Sequence, residues 1–171
     1  MSQKKESVTI PADKLDFDFK YEIAREPGGE HILRCFACGT CAAGCPVRAI
    51  EAKYNPRQVI RKILLGMKDE VLRGDFVWLC STCYSCQERC PQDVRIADLM
   101  TAVKNYAAKH GKAPASYLQQ LDLIKKFGRL YEVDEFDNKK REKMGLPALP
   151  MACEEVKKLL DLLTGGQKEE G

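Results

Sequence analysis

Two runs of cysteine constrain this chain more than anything else in it. Cys35, Cys38, Cys41 and Cys45 are followed by Pro46; Cys80, Cys83, Cys86 and Cys90 are followed by Pro91. Both runs read C-x-x-C-x-x-C-x-x-x-C-P, and each residue of the second stands 45 positions after its counterpart in the first. Three side chains a few residues apart can approach one centre, but a fourth contact must come from elsewhere in the chain. The closing proline fixes φ and offers no N–H donor, so it ends the local turn and redirects the backbone.

Thiolates at this spacing hold cubane clusters. The pattern is the two-cluster ferredoxin signature, in which three cysteines of one run and the fourth of the other ligate each [4Fe-4S] centre. It assigns one cluster to Cys35, Cys38, Cys41 and Cys90, and the other to Cys80, Cys83, Cys86 and Cys45. Zinc is the competing chemistry, because paired C-x-x-C units also form Cys₄ sites, and a zinc-stapled interaction module is the alternative of a different class. Against it, each run carries four cysteines and a terminal proline, and neither His31 nor His110 stands at a regular ligand spacing. A c-type haem motif is absent, and two scattered histidines are too few for a Rieske centre. The polar start, Met1 to Glu6, has no apolar segment after it, so a reducing, cytoplasmic setting is expected, where thiols serve as ligands rather than disulfides.

The remaining composition narrows the functions available. A net charge of +3 on 171 residues, with bases and acids interleaved, gives nucleic acid no basic face to bind. No apolar run approaches the ~20 residues that span a bilayer. There is no Cys-Cys pair, no G-x-G-x-x-G and no visible nucleophile–base constellation, so no catalytic residue is assigned and the chain is expected to carry electrons rather than hold a substrate.

Periodicity gives a mainly α reading. An N-terminal arm, 1–29, contains a strict alternation of Leu15, Phe17, Phe19, Tyr21 and Ile23 with charged residues, which predicts a short extended strand. An α-helical ferredoxin domain holding two clusters is expected over 30–130. Within it Asn55-Pro56 opens a helix lined by Val59, Ile60, Ile63, Leu64 and Met67 and ended near Gly66. A second helix is expected at 68–74. The segment Phe76 to Leu79 is expected to shield the second cluster. A longer helix runs from about Asp93 to His110 with Gly111 as its cap, and another follows Pro114 as far as Gly128; these are expected to pack over the clusters. Residues 131–171 read as a charged linker (132–145), a stiff apolar stretch (146–151) that could dock on a partner, a short amphipathic helix (154–163) and a disordered tail. Cys153, the ninth cysteine, reads as a packed or free thiol. Gly39 and Gly44 in the first run are replaced by Tyr84 and Arg89 in the second, so the two clusters should differ in potential.

The residues around the cysteines carry a further resemblance. Cys35-Phe-Ala-Cys-Gly-Thr-Cys-Ala-Ala-Gly-Cys-Pro-Val47 and Trp78-Leu-Cys-Ser-Thr-Cys-Tyr-Ser-Cys-Gln-Glu-Arg-Cys-Pro-Gln-Asp-Val94 resemble the C subunit of soluble heterodisulfide reductases, as do Tyr21-Glu-Ile and Gly28-Gly-Glu. The resemblance spans roughly residues 15–130. It implies an electron-transfer subunit, itself non-catalytic, of an oxidoreductase complex. Electrons would pass from a flavin-bearing A subunit through two cubanes to a cysteine-rich B subunit. In methanogens the mixed disulfide of coenzyme M and coenzyme B is cleaved there. The same spacing occurs in helical ferredoxin modules of succinate, glycolate and glycerol-3-phosphate dehydrogenases, which supply an alternative within the same class.

Overall fold

The computed structural model describes residues 11–163, and among these every regular element is helical. The chain divides into two compact units, one ending at Lys112 and the other starting at Ala113.

The first unit holds seven helices: α1 (Phe19–Arg25), α2 (Thr40–Ala43), α3 (Pro46–Ile50), α4 (Pro56–Leu64), α5 (Lys68–Arg73), α6 (Ser85–Glu88) and α7 (Ile96–Lys109). Its core is built from three apolar stripes at helical spacing: Phe19 and Ile23 on α1; Val59, Ile60 and Ile63 on α4; and Ile96, Leu99, Met100, Val103 and Tyr106 on α7. α1 packs on both α4 and α7. The start of α4 is set by Asn55, whose side-chain oxygen accepts the Gln58 N–H at 3.3 Å, with Pro56 as first helical residue. Gly66, at φ +78°, ends it. A methyl at Gly66 would land on the Asp16 backbone, whose N–H donates to the Gly66 carbonyl at 2.8 Å.

The N-terminal segment is where the structure departs most from the periodic reading. The stretch expected as a strand forms a turn followed by α1. Phe19 and Ile23 stand four apart, so a helix stacks them on one face as readily as a strand would, and both are fully buried. Phe17 and Tyr21, which a strand would align with them, are exposed. The segment is also not peripheral, since α1 is part of the core. Polar contacts pin it as well. Glu22 accepts from Lys68 Nζ at 2.6 Å and from the Tyr106 hydroxyl at 2.6 Å, and Lys68 reaches Asp16 at 3.1 Å.

This network sets a pH dependence. The Lys68 ammonium, then the Tyr106 hydroxyl, hold the Glu22 carboxyl below its ordinary value of 4.5. A carboxylate with a depressed folded-state pKa adds stability that is present above 4.5 and is lost as pH falls through the folded value. Glu22→Gln is therefore less stable than the parent at neutral pH. The gap between their urea midpoints narrows as pH drops below 4.5. A gap unchanged down to the pH of acid unfolding would remove this role from Glu22.

The second unit contains α8 (Ala115–Phe127), α9 (Glu135–Lys143) and α10 (Glu154–Leu163). α8 packs on α10, and the Cys153 N–H donates to the Phe127 carbonyl at 2.8 Å. α8 thus groups with the C-terminal helices, and the division falls near 112 rather than 130. The expected charged linker is largely α9. Asp134 caps it by accepting the Asp137 N–H at 2.8 Å, acids fill its first turn and bases its last, an order that complements the helix dipole. The stiff stretch after α9 is tied to it: the Asn138 side chain donates to the Leu149 carbonyl and accepts its N–H. Cys153 is half-buried, with its thiol 3.4 Å from the Glu155 carboxylate. The residues expected as a disordered tail, 165–171, and the first ten residues of the N-terminal arm lie outside the described residues.

Candidate metal centres

The two cysteine runs fold alike. A short 3₁₀ turn, Ile32–Arg34 in one and Phe76–Leu79 in the other, delivers the first cysteine. The backbone then turns left-handed twice, at Ala37 and Gly39 in the first run and at Thr82 and Tyr84 in the second. Both pairs are 45 residues apart, so the repeat in sequence is a repeat in conformation. Right- and left-handed residues in succession turn their N–H groups toward one side, a concavity suited to an anionic centre. Gly39 adopts this geometry freely, whereas for Tyr84 it costs about 1–2 kcal/mol. Next come the paired short helices α2 and α6, carrying Cys41 and Cys86, and they pack on each other. The Arg89 guanidinium lies over Gly44, its own counterpart, where a Cβ would obstruct it.

The sulfurs gather in two places. Cys35, Cys38, Cys41 and Cys90 line one cavity, and Cys45, Cys80, Cys83 and Cys86 line another. Each cavity joins three sulfurs of one run to the last sulfur of the other. The chain leaves the two terminal cysteines differently, for Cys45 caps α3 directly and Pro46 is its first residue. Past Cys90-Pro91 the chain is left-handed at Asp93 and Arg95, which delays α7 until Ile96, three residues later than the periodicity suggests. The Val94 N–H there faces the Cys90 sulfur at 3.5 Å. Among the described residues, no three His, Cys, Asp or Glu side chains converge as a single metal ion requires. Four thiols around a cavity suit a cube in which each iron takes one thiolate. They suit less well one zinc ion with four sulfurs at about 2.3 Å.

The thiols are not equivalent. Burial, then the neighbouring Cys35 and Cys38 sulfurs, push Cys41 up to about 11; burial, then Cys80 and Cys41, push Cys86 up to about 12. Cys41 on α2 and Cys86 on α6 stand on helices that pack together, which puts the two cavities side by side. The outer thiols behave oppositely. The Thr40 hydroxyl, 3.4 Å from Cys38, lowers that thiol, and the Ser85 N–H and hydroxyl lower Cys83. Thr40 and Ser85 are again 45 apart, so both halves carry the same hydroxyl support for an outer sulfur. Thiol donors, inward N–H groups and hydroxyls on sulfur together fit iron–sulfur clusters.

Two other side chains line these cavities and a third braces a cysteine backbone, none of them singled out in the sequence for that role. Tyr54 lines the second cavity. Arg57 lines the first. Lys104, on α7, donates to the Cys80 carbonyl at 2.9 Å. Only Thr40 and Ser85 had a sequence signal, in the 45-residue offset itself. Phe76 and Trp78 pack against the core, as does the Cys80 that follows them.

Comparison with known proteins agrees with this arrangement. The 4Fe-4S dicluster domain family matches residues 31–94. The C subunit of the H(2):CoB-CoM heterodisulfide,ferredoxin reductase of Methanothermobacter thermautotrophicus is 35% identical over 165 residues, covering 92% of this chain and 88% of that relative. The iron-sulfur C subunit of the CoB–CoM heterodisulfide reductase of Methanopyrus kandleri is 34% identical, covering 95% of this chain and 94% of its own. The C subunit of the ferredoxin:CoB-CoM heterodisulfide reductase of Methanosarcina mazei is 35% identical over 139 residues, covering 77% of this chain and 85% of its own. With two thiol-lined cavities in a helical dicluster fold, and relatives of this kind along nearly its whole length, the chain belongs to the iron–sulfur C-subunit family of heterodisulfide reductases.

Proposed function

We propose that this chain relays electrons through two [4Fe-4S] clusters, one on Cys35, Cys38, Cys41 and Cys90 and one on Cys80, Cys83, Cys86 and Cys45. The flow runs from a flavin-bearing A-type subunit to a cysteine-rich, disulfide-reducing B-type subunit. The observation that carries the reading is the pair of adjacent cavities, each ringed by four thiols drawn from both runs. When bound, the clusters supply one-electron acceptors whose potentials answer to burial, charge and hydrogen bonds at sulfur. The chain's own residues hold the sulfurs, exclude water from the inner ones and set the local charge. The contact between α2 and α6 keeps the two centres adjacent, as a relay needs. Phe36 stands exposed at the lip of the first cavity, beside Arg57 and Arg61, which supports contact with a partner at that edge. Among the described residues no helix is long and apolar enough to cross a membrane.

The test is anoxic purification from the source cells through a tag on this chain. The expected result is about eight irons per chain, with a flavoprotein and a cysteine-rich protein in the same complex. Flavin reduction should bleach the chain's visible absorption, and adding the heterodisulfide should restore it. A zinc-loaded, colourless chain, or a complex with an organic-acid or polyol dehydrogenase, would overturn the proposal.

A further inference from the structure

We propose that the Tyr54 hydroxyl donates a hydrogen bond to the Cys80 sulfur and so raises the reduction potential of the cluster carried by Cys80, Cys83, Cys86 and Cys45, and of that cluster alone. This rests on the two-cluster reading above.

Tyr54 is only 2% exposed, and it lines the second cavity together with Cys45, Cys80 and Cys86. Its backbone is fixed from both sides: its N–H donates to the Glu51 carbonyl at 3.1 Å, and the Asn55-Pro56 cap of α4 follows immediately. The ring forms part of the cavity wall that Cys80 also lines, which places a phenol beside the ligand sulfurs. A buried tyrosine needs a partner for its O–H. We assign it the Cys80 sulfur of the same cavity. A phenol is a neutral donor at ordinary pH. A hydrogen bond to a thiolate favours the more negatively charged state, which for a cluster is the reduced one, so the bond moves the potential upward. With water excluded the bond is stronger than it would be at the surface.

The effect is confined to one centre. The residue 45 positions after Tyr54 is Leu99, fully buried and without a donor. Where the second cavity has a phenol, the first has Pro91, Val94 and Ile96 in its wall. Its hydroxyl at Thr40 is matched by Ser85 in the second, so that pair leaves no difference. Arg57 borders the first cavity, but it is exposed and its charge is screened.

The decisive variant is Tyr54→Phe, which keeps the ring and removes only the oxygen. It is prepared anoxically in the full complex and titrated by electron paramagnetic resonance. The expected result is wild-type iron content, one midpoint lowered by about tenfold in the one-electron equilibrium, or about 59 mV at n = 1, and the other midpoint unmoved. An exchangeable-proton coupling on the shifted cluster should vanish. Unchanged midpoints at full iron content, or a shift confined to the other cluster, would overturn the proposal. If Tyr54→Phe loses iron, fluorotyrosine at position 54 preserves the shape and strengthens the donor. The midpoint should then rise, and its failure to move would overturn the proposal equally. Wild-type protein lacking about eight irons would instead defeat the two-cluster reading, and the proposal would fall with it.

Discussion

Cys45→Ala should remove the cluster proposed on Cys80, Cys83 and Cys86 and spare the one proposed on Cys35, Cys38 and Cys41. Cys45 sits six residues from the left-handed turn at Gly39, yet its sulfur lines the cavity of the other run. Cys90 does the reverse. Removing either leaves its neighbours in sequence with a full set of ligands and deprives the distant run of one. Iron content should fall from about eight to about four per chain. The residual spectrum should match that of Cys83→Ala and differ from that of Cys38→Ala. This comparison needs no prior assignment of signals to clusters. A residual spectrum matching Cys38→Ala would mean that each run serves its own cluster, and the crossed arrangement would be abandoned.

The convergence of the two cysteine runs was legible because metal chemistry imposes spacing on sequence. The caps were legible for a similar reason: Asn55-Pro56, Gly66, Gly111 and Gly128 each mark a backbone geometry that few residues tolerate, and each stands at a helix end. What stayed hidden depends on distant contact. The alternation from Leu15 to Ile23 fits a strand locally, but Glu22 finds its partners 46 and 84 residues away, and these favour the helix. Tyr54 looks like any core aromatic until folding brings it to Cys80. Charge density over 132–145 concealed a helix, because the capping by Asp134 is a matter of geometry that composition does not record. The boundary near 112 was hidden likewise, since the apolar face of α8 does not reveal that it belongs with α10.

The helical form of residues 19–25 makes a second large prediction, because it ranks side chains that a strand would treat alike. Ile23→Ala empties a fully buried site in the core shared with α4 and α7, and should cost about 3 kcal/mol. Tyr21→Ala removes a side chain that is 44% exposed, and its loss should stay near 0.5 kcal/mol. Both lie on the same face of the alternating pattern, so a strand would lose comparable packing at each. Urea unfolding of the two variants under anoxic conditions, compared through their midpoints at a common slope, measures the difference. Equal losses would restore the strand. The consequence reaches the metal as well. α1 packs on α4 and α7; the segment before α4 positions Tyr54 beside Cys80, and α7 supplies the Lys104 that holds the Cys80 carbonyl. Loosening α1 should therefore open the cavities to water, and Ile23→Ala should lose iron to a chelator faster than Tyr21→Ala does.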